Sequence, residues 1–240
     1  MRKSAIIILA VFWLFCGGES KAASQNLDTH LNLVFACRAE NDLYKVVTST
    51  GQKCSRFDTA GKAIENAKDG YGVLILADGY PDRTTFIENE LFEIAAKKKL
   101  RLFIEYPSSL PNMEIGKPRE IAFGRGVITS DIFGESLKKM RTLEIHGCRF
   151  VPVKADNPCI VFAKVAGYDT AVYGLPDANV FPILFEHPQD NILVATTKLS
   201  QFVTGRYGPS RAWQTIWTGI LQWLCPEAKV PSLEWEATVR

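Results

Sequence analysis

Gly72-Val73-Leu74-Ile75-Leu76-Ala77 is an unbroken apolar run that starts at a glycine and stops at Asp78-Gly79. No polar residue alternates through it, so it predicts a strand buried on both faces, as central parallel strands are. Downstream, Thr85 and Glu88 are spaced as a capping box. Phe86, Ile87, Leu91, Ile94 and Ala95 then form one helical face, and Lys97-Lys98-Lys99 closes it where positive charge suits the helix dipole. Arg101-Leu102-Phe103-Ile104-Glu105-Tyr106 follows as a further strand, stopped by Pro107. Upstream, residues 31–36 have strand length and residues 44–48 an extra strand pattern. Residues 58–68 place Ala60, Ala63, Ile64 and Ala67 at helical spacing behind a cap at Asp58 or Thr59. Strands and helices alternating over short connections predict right-handed parallel crossovers.

The second half changes character. Residues 131–140 predict one more helix. Strand-like runs at 159–166, 171–174, 180–185 and 192–196 are joined by Gly, Pro, Asn and Asp, which predicts hairpins or antiparallel additions to the sheet. A last helix over 210–224 carries Trp213, Ile216, Trp217, Ile220, Leu221 and Leu224 at the 3.6 period, with Ser210 as its cap and Pro226 as its stop. The fold class is α/β: a three-layer sandwich around a mainly parallel sheet, with antiparallel additions in the second half.

At 240 residues, 47% apolar and 22% charged, the chain can bury one large core, which excludes disordered and collagen-like classes. Its beginning is a separate matter. Arg2 and Lys3 precede an apolar run over 5–15, and Ser20-Lys21-Ala22-Ala23 follows. That run is too short to span a bilayer and has the anatomy of a secretory signal over 1–23, which places the protein outside the cytoplasm, periplasmic or secreted. The rival is lipidation at Cys16, which Leu14 and Phe15 suit poorly. Removing Arg2, Lys3, Lys21 and Glu19 leaves equal numbers of basic and acidic side chains. No polybasic segment survives, so no nucleic-acid partner is expected. Residues 24–229 then form one α/β domain, and 230–240 an extended, linker-like tail or a strap packed through Trp235. Cys37, Cys54, Cys148, Cys159 and Cys225 remain, without a C-x-x-C; Cys148 and Cys159 bracket a Pro-containing turn across which they could pair.

Ligands of open parallel sheets bind beyond the carboxyl ends of the strands. The residues there are Cys37-Arg38, Asp78-Gly79-Tyr80-Pro81, Glu105-Tyr106-Pro107 and the stretch from Thr196 to Pro209. Glu105, directly after buried strand residues, is the leading candidate for a desolvated acid or base, with Asp78 as a paired carboxylate. The commoner alternative is an ion pair of Glu105 with Arg206, Arg125 or Arg38 that pins loops. Tyr80, Tyr106, Lys198, Ser200, Arg206 and Tyr207 are the candidate ligand-binding residues, offering rings, cations and hydroxyls. There is no G-x-S-x-G, no phosphate-binding glycine motif and no metal-ligand spacing among His30, His146 and His187, so neither a metal nor a cofactor is expected.

Three phrases carry a resemblance. They are Val73-Leu74-Ile75-Leu76-Ala77-Asp78-Gly79-Tyr80-Pro81, Phe103-Ile104-Glu105-Tyr106-Pro107-Ser108, and Lys198-Leu199-Ser200-Gln201-Phe202 with Gly205-Arg206-Tyr207. With the element order, they make most of residues 27–225 resemble the class I glutamine amidotransferase-like (flavodoxin-like) superfamily. The likeness is to its non-amidotransferase members, found in secreted polysaccharide-degrading proteins and in the trimerisation domain of some β-galactosidases. Amidotransferases place a cysteine nucleophile in a Gly-x-Cys-x-Gly elbow after the third strand. Here Ile104-Glu105-Tyr106-Pro107 stands there, and His187 has no nucleophile to activate.

The resemblance therefore implies an exported, non-amidotransferase domain associated with polysaccharide degradation, accessory or assembly in role. Its expected partners are a glycan or oligosaccharide, and a glycoside hydrolase domain or a second copy of itself. The alternative is a small carbohydrate-active enzyme, of glycan hydrolase or lyase type, using Glu105 with Asp78 or Arg206.

Overall fold

The computed structural model describes residues 30–121, 124–188, 191–202 and 207–236; the expected signal at 1–23, Cys16 and Arg206 lie outside them. The apolar run becomes β3 (Gly72–Ile75), buried throughout. It pairs in parallel with β1 (Leu33–Ala36) on one side and with β4 (Arg101–Glu105) on the other. β2 (Ser55–Phe57) adds in parallel to β1, and β11 (Ile192–Ala195) in parallel to β4. The parallel half thus has the order β2-β1-β3-β4-β11.

Strand side chains alternate between faces, and both faces are covered here. Val34, Val73, Ile75, Leu102, Ile104 and Val194 pack with α2 (Ala60–Asn66) and α3 (Asn89–Lys97). Phe35, Leu74, Phe103 and Leu193 pack with α1 (Asp42–Ser49) and α4 (Ser210–Leu224). The Trp217 ring meets Phe103 edge-on at 5.4 Å, and Trp213 and Trp217, on the apolar stripe of α4, are both fully buried core residues.

The sheet continues past β11 with antiparallel strands contributed mainly by the chain between β4 and β11. These are β6 (Arg125–Ile128), β7 (Thr142–Ile145), β9 (Ile160–Ala163) and β10 (Phe181–Glu186), ending on β12 (Tyr207–Gly208). The full order is β12-β7-β6-β9-β10-β11-β4-β3-β1-β2. β5 (Arg119–Glu120) and β8 (Arg149–Phe150) form a separate two-stranded ribbon. The molecule is therefore α/β with one large mixed sheet.

Several local expectations are corrected. Residues 44–48 are helical: Asn41 caps α1 by accepting the Leu43 and Tyr44 N–H groups, and Leu43, Val46 and Val47 bury one face at helical spacing, which overrides β-branched propensity. The capping box at Thr85 does not form. α3 begins at Asn89, while the Thr85 N–H donates to the Tyr106 carbonyl and Phe86 is 67% exposed. Residues 131–140 make successive turns instead of a helix, burying Phe133 and Leu137 and closed by a 2.7 Å Lys139–Asp131 pair. Residues 171–174 form no strand, and the 192–196 run, antiparallel to β10 as expected, pairs on its other side in parallel with β4. Cys148 and Cys159 are free thiols, as are Cys37, Cys54 and Cys225; the Cys148 Sγ donates to the His146 carbonyl at 3.3 Å. In the tail, Leu233 is buried and the Trp235 ring lies 4.1 Å from Phe202.

Gly72 starts β3 because a Cβ there would stand 2.7 Å from Leu33 Cδ2 and 3.0 Å from Leu224 Cβ, both in the core. Replacing Gly72 by Ala is expected to destabilise the protein by about 1–3 kcal/mol through overpacking, read as a lower urea midpoint at unchanged slope.

Candidate functional site

The parallel strands end in register. Ile75 stands opposite Ile104, and Glu105 opposite Ala195, so the segments after β1, β3, β4 and β11 converge at one rim of the sheet. Glu105 occupies the middle of that rim and is completely buried. Its Oε1 accepts the N–H groups of Leu199 (2.9 Å) and Ser200 (2.7 Å). Its Oε2 accepts the Ala77 N–H (3.1 Å) and the Ser200 hydroxyl (2.8 Å). Asn41 completes the chain by donating Nδ2 to Ser200 Oγ at 3.1 Å. One carboxylate thus joins the ends of β3 and β4, the segment after β11 and the cap of α1.

Burial pushes the Glu105 carboxyl above its ordinary range, opposed by the nearby Lys198 charge and by the donors from Ala77 and Ser200. Lys198 Nζ donates to the Ala77 carbonyl at 3.0 Å, so Ala77 is held through both its N–H and its C=O. Asp78 comes next and is half-buried. Its Oδ2 accepts the Arg38 N–H at 2.5 Å. Burial raises the Asp78 carboxyl, while the Arg38 N–H and the Lys198 charge oppose the rise.

Tyr106 follows Glu105 with a φ of 49°, an uncommon conformation for a bulky side chain, and its ring is fully buried. It meets Tyr80 edge-on at 5.0 Å and donates its hydroxyl to the Pro81 carbonyl at 3.4 Å. The Tyr80 hydroxyl in turn accepts the Arg149 N–H at 2.6 Å, tying the rim to β8. Tyr207 is buried, donates to the Lys198 carbonyl and lies 3.6 Å from Cys148 Sγ; burial pushes its phenol well above the ordinary value. At the end of β1, burial pushes the Cys37 thiol up to about 12, which disfavours its thiolate.

Of the residues singled out in the sequence, Glu105, Ser200, Lys198 and Asp78 share the rim. Tyr207 joins them through the Lys198 backbone, and Tyr80 and Tyr106 form an adjoining pair; Arg206 lies outside the described residues. Arg125 does not reach Glu105, since its Nη1 donates to the carbonyls of Gly167 and Tyr168. His187 is at the opposite end of the sheet, its N–H on the Ile192 carbonyl and its Nε2 2.8 Å from the Pro111 carbonyl. Asn41, Glu120 and Arg149 were not anticipated. Asn41-Asp42 ahead of the Leu43, Val46, Val47 spacing is a readable cap signal, whereas Glu120 and Arg149 sit in two-residue strands too short to leave a pattern.

Beside Tyr80 a cavity of about 420 Å³ is lined by Pro81, Asp82, Glu120, Cys148 and Arg149, with Arg149 Nη2 2.8 Å from Glu120 Oε1. Among the described residues no group of three or more His, Cys, Asp or Glu is placed to hold a metal ion, and no helix is long and apolar enough to cross a membrane.

No family model and no curated protein matches the chain. Among solved structures it is similar to the crystal structure of Agd3, described as a novel carbohydrate deacetylase. The TM-score is 0.44 at 11% identity, over 70% of this chain and 29% of that one. The match spans less than a third of the deacetylase's length.

Gln in place of Glu105 would aim an amide NH₂ at donors whichever way it turned. Glu105→Gln is therefore expected to cost about 2–4 kcal/mol of stability in urea denaturation. The buried Thr197 Oγ1, at the end of β11, has no partner among the described residues. Thr197→Val is expected to leave stability unchanged or slightly raised in the same assay, because no hydrogen bond is lost with the hydroxyl.

Proposed function

We propose that the protein is an exported, non-amidotransferase α/β domain of flavodoxin-like type. It acts as a carbohydrate-associated accessory or assembly domain beside a glycoside hydrolase or a second copy of itself. The observation that carries this is the occupancy of the Glu105 carboxylate. At the strand end where an amidotransferase of the resembled superfamily holds its nucleophile, this chain has a buried carboxylate with four hydrogen-bond donors and then a buried tyrosine. A group in that state braces the rim and leaves binding to its neighbours. The strand order β2-β1-β3-β4-β11 supports the flavodoxin-like type, whose parallel sheet runs 2-1-3-4-5. Tyr80, Asp78 and Lys198, each part-exposed, supply the ring, carboxylate and ammonium with which a rim can hold sugar hydroxyls.

Asp78 favours the enzymatic alternative, because it combines solvent access with a carboxyl raised by burial. A glycan array combined with an oligosaccharide turnover screen on the full chain separates the two. The accessory function predicts retention of glycans without turnover in the wild type, and weakened retention, again without turnover, in Asp78→Asn. Turnover that Asp78→Asn abolishes would instead establish the enzyme, and absence of retention on every glycan would refute the carbohydrate role.

A further inference from the structure

We propose that the outward face of α4, with the groove it floors, is the surface through which two copies of this chain pair about a two-fold axis, each α4 antiparallel to its counterpart. The proposal rests on the assembly side of the role above and names the partner. Arg211, Thr215, Thr218 and Gln222 recur at the helical period on the side of α4 opposite Trp213, Ile216 and Ile220, so they are its outermost residues. The helices on the other side of the sheet hold exposed charges outward: Lys62 and Glu65 on α2, Glu90, Glu93 and Lys97 on α3. α4 has no charged side chain from Ala212 to Leu224.

The polar groups of this face are already spent. The Thr215 hydroxyl donates to the Arg211 carbonyl at 3.1 Å, and the Thr218 hydroxyl to the Gln214 carbonyl at 2.9 Å. Gln222 Nε2 lies on the carbonyls of Cys225, Pro226 and Ala228. With those groups taken, the face gains little from water and loses little by being covered. It floors a groove of about 700 Å³. One wall is the 131–140 segment, seated where a Cβ on Gly219 would stand 3.0 Å from Phe133 Cδ1, and there Ile132 is 49% exposed. The tail at Ser232 and Leu233 is the other wall.

Charge identifies the occupant. The groove is lined by one cation, Arg211, and one anion, Glu186, both exposed. They stand at opposite ends of it. The α4 N-terminus is at the rim, where Trp213 Nε1 donates to the Gly208 carbonyl at 3.2 Å and Tyr207 reaches the Lys198 carbonyl. Its C-terminus is at the far end of the sheet, where Arg101, first in β4, donates to the Trp223 carbonyl at 2.9 Å. Glu186 belongs to that far end, since it follows Phe185 of β10 past Val194 to pair with Leu193. Among the described residues neither Arg211 nor Glu186 makes an ion pair. A two-fold axis across the groove exchanges its ends, so Arg211 of each copy meets Glu186 of the other, twice per dimer. Ile132 of each copy gives the other's groove an apolar side chain to enclose.

Sedimentation equilibrium on the full chain, with glycan retention measured alongside, tests the pairing. A dimer is expected, weakened about ten-fold or more by Arg211→Glu, which sets like charges together, and by Thr218→Arg, which puts a charge within the face. Adding Glu186→Arg to Arg211→Glu is expected to restore it to within about three-fold of the wild type. Glu93→Lys, on α3, is expected to leave it unchanged, and unchanged thermal melting confirms folding of each variant. A monomer at every concentration would overturn the proposal. So would a dimer indifferent to Arg211→Glu and Thr218→Arg, or one that the reciprocal charge change fails to restore. A monomer that retains glycans would refute the interface alone, and a dimer that retains none would refute the carbohydrate role alone.

Discussion

The buried carboxylate of Glu105 is the constraint on which the rim depends. A charge or proton-bearing group taken fully out of water is tolerated only when its hydrogen bonds are replaced, and here each carboxylate oxygen receives two donors. Those donors come from segments far apart in sequence, so satisfying the carboxylate and closing the rim are the same event. Lys198 strengthens the arrangement from outside by holding the carbonyl of Ala77, whose N–H Glu105 already holds.

Much of the parallel half was legible because it is governed by burial. The run at Gly72–Ile75 and its partner at Arg101–Glu105 are apolar on both faces, and only a covered parallel strand accommodates that. The 210–224 helix was legible for the same reason, since Trp213, Trp217 and Leu224 keep the helical period to the end. What failed was local chemistry overruled by neighbours. Thr85 has the spacing of a cap, yet its backbone is taken by the Tyr106 carbonyl, because the segment crosses the end of β4. Val46 and Val47 favour strands in isolation but are buried on a helix that Asn41 starts.

The antiparallel half was less legible still. β5, β8 and β12 have two residues each, too few for any periodicity to show. The site divides along the same line. Glu105 and Asp78 stood out because they follow buried strands, whereas the bonds that decide the role of Glu105 come mostly from backbone N–H groups, about which side-chain identity says nothing.

The placement of β11 has a consequence for how the molecule forms. Its parallel partner β4 ends at Glu105, yet β11 begins at Ile192, with most of the antiparallel half emitted between them. During synthesis the strand edge that β4 offers stays unpaired until the chain has passed Ala195, and the Glu105 carboxylate waits longer still, for Ser200. Contacts of such long range are slow to form, and an apolar edge held open for so long invites association with other chains. The topology that builds a rigid rim thus makes its completion one of the last events of folding, during which a nascent chain is most in need of protection.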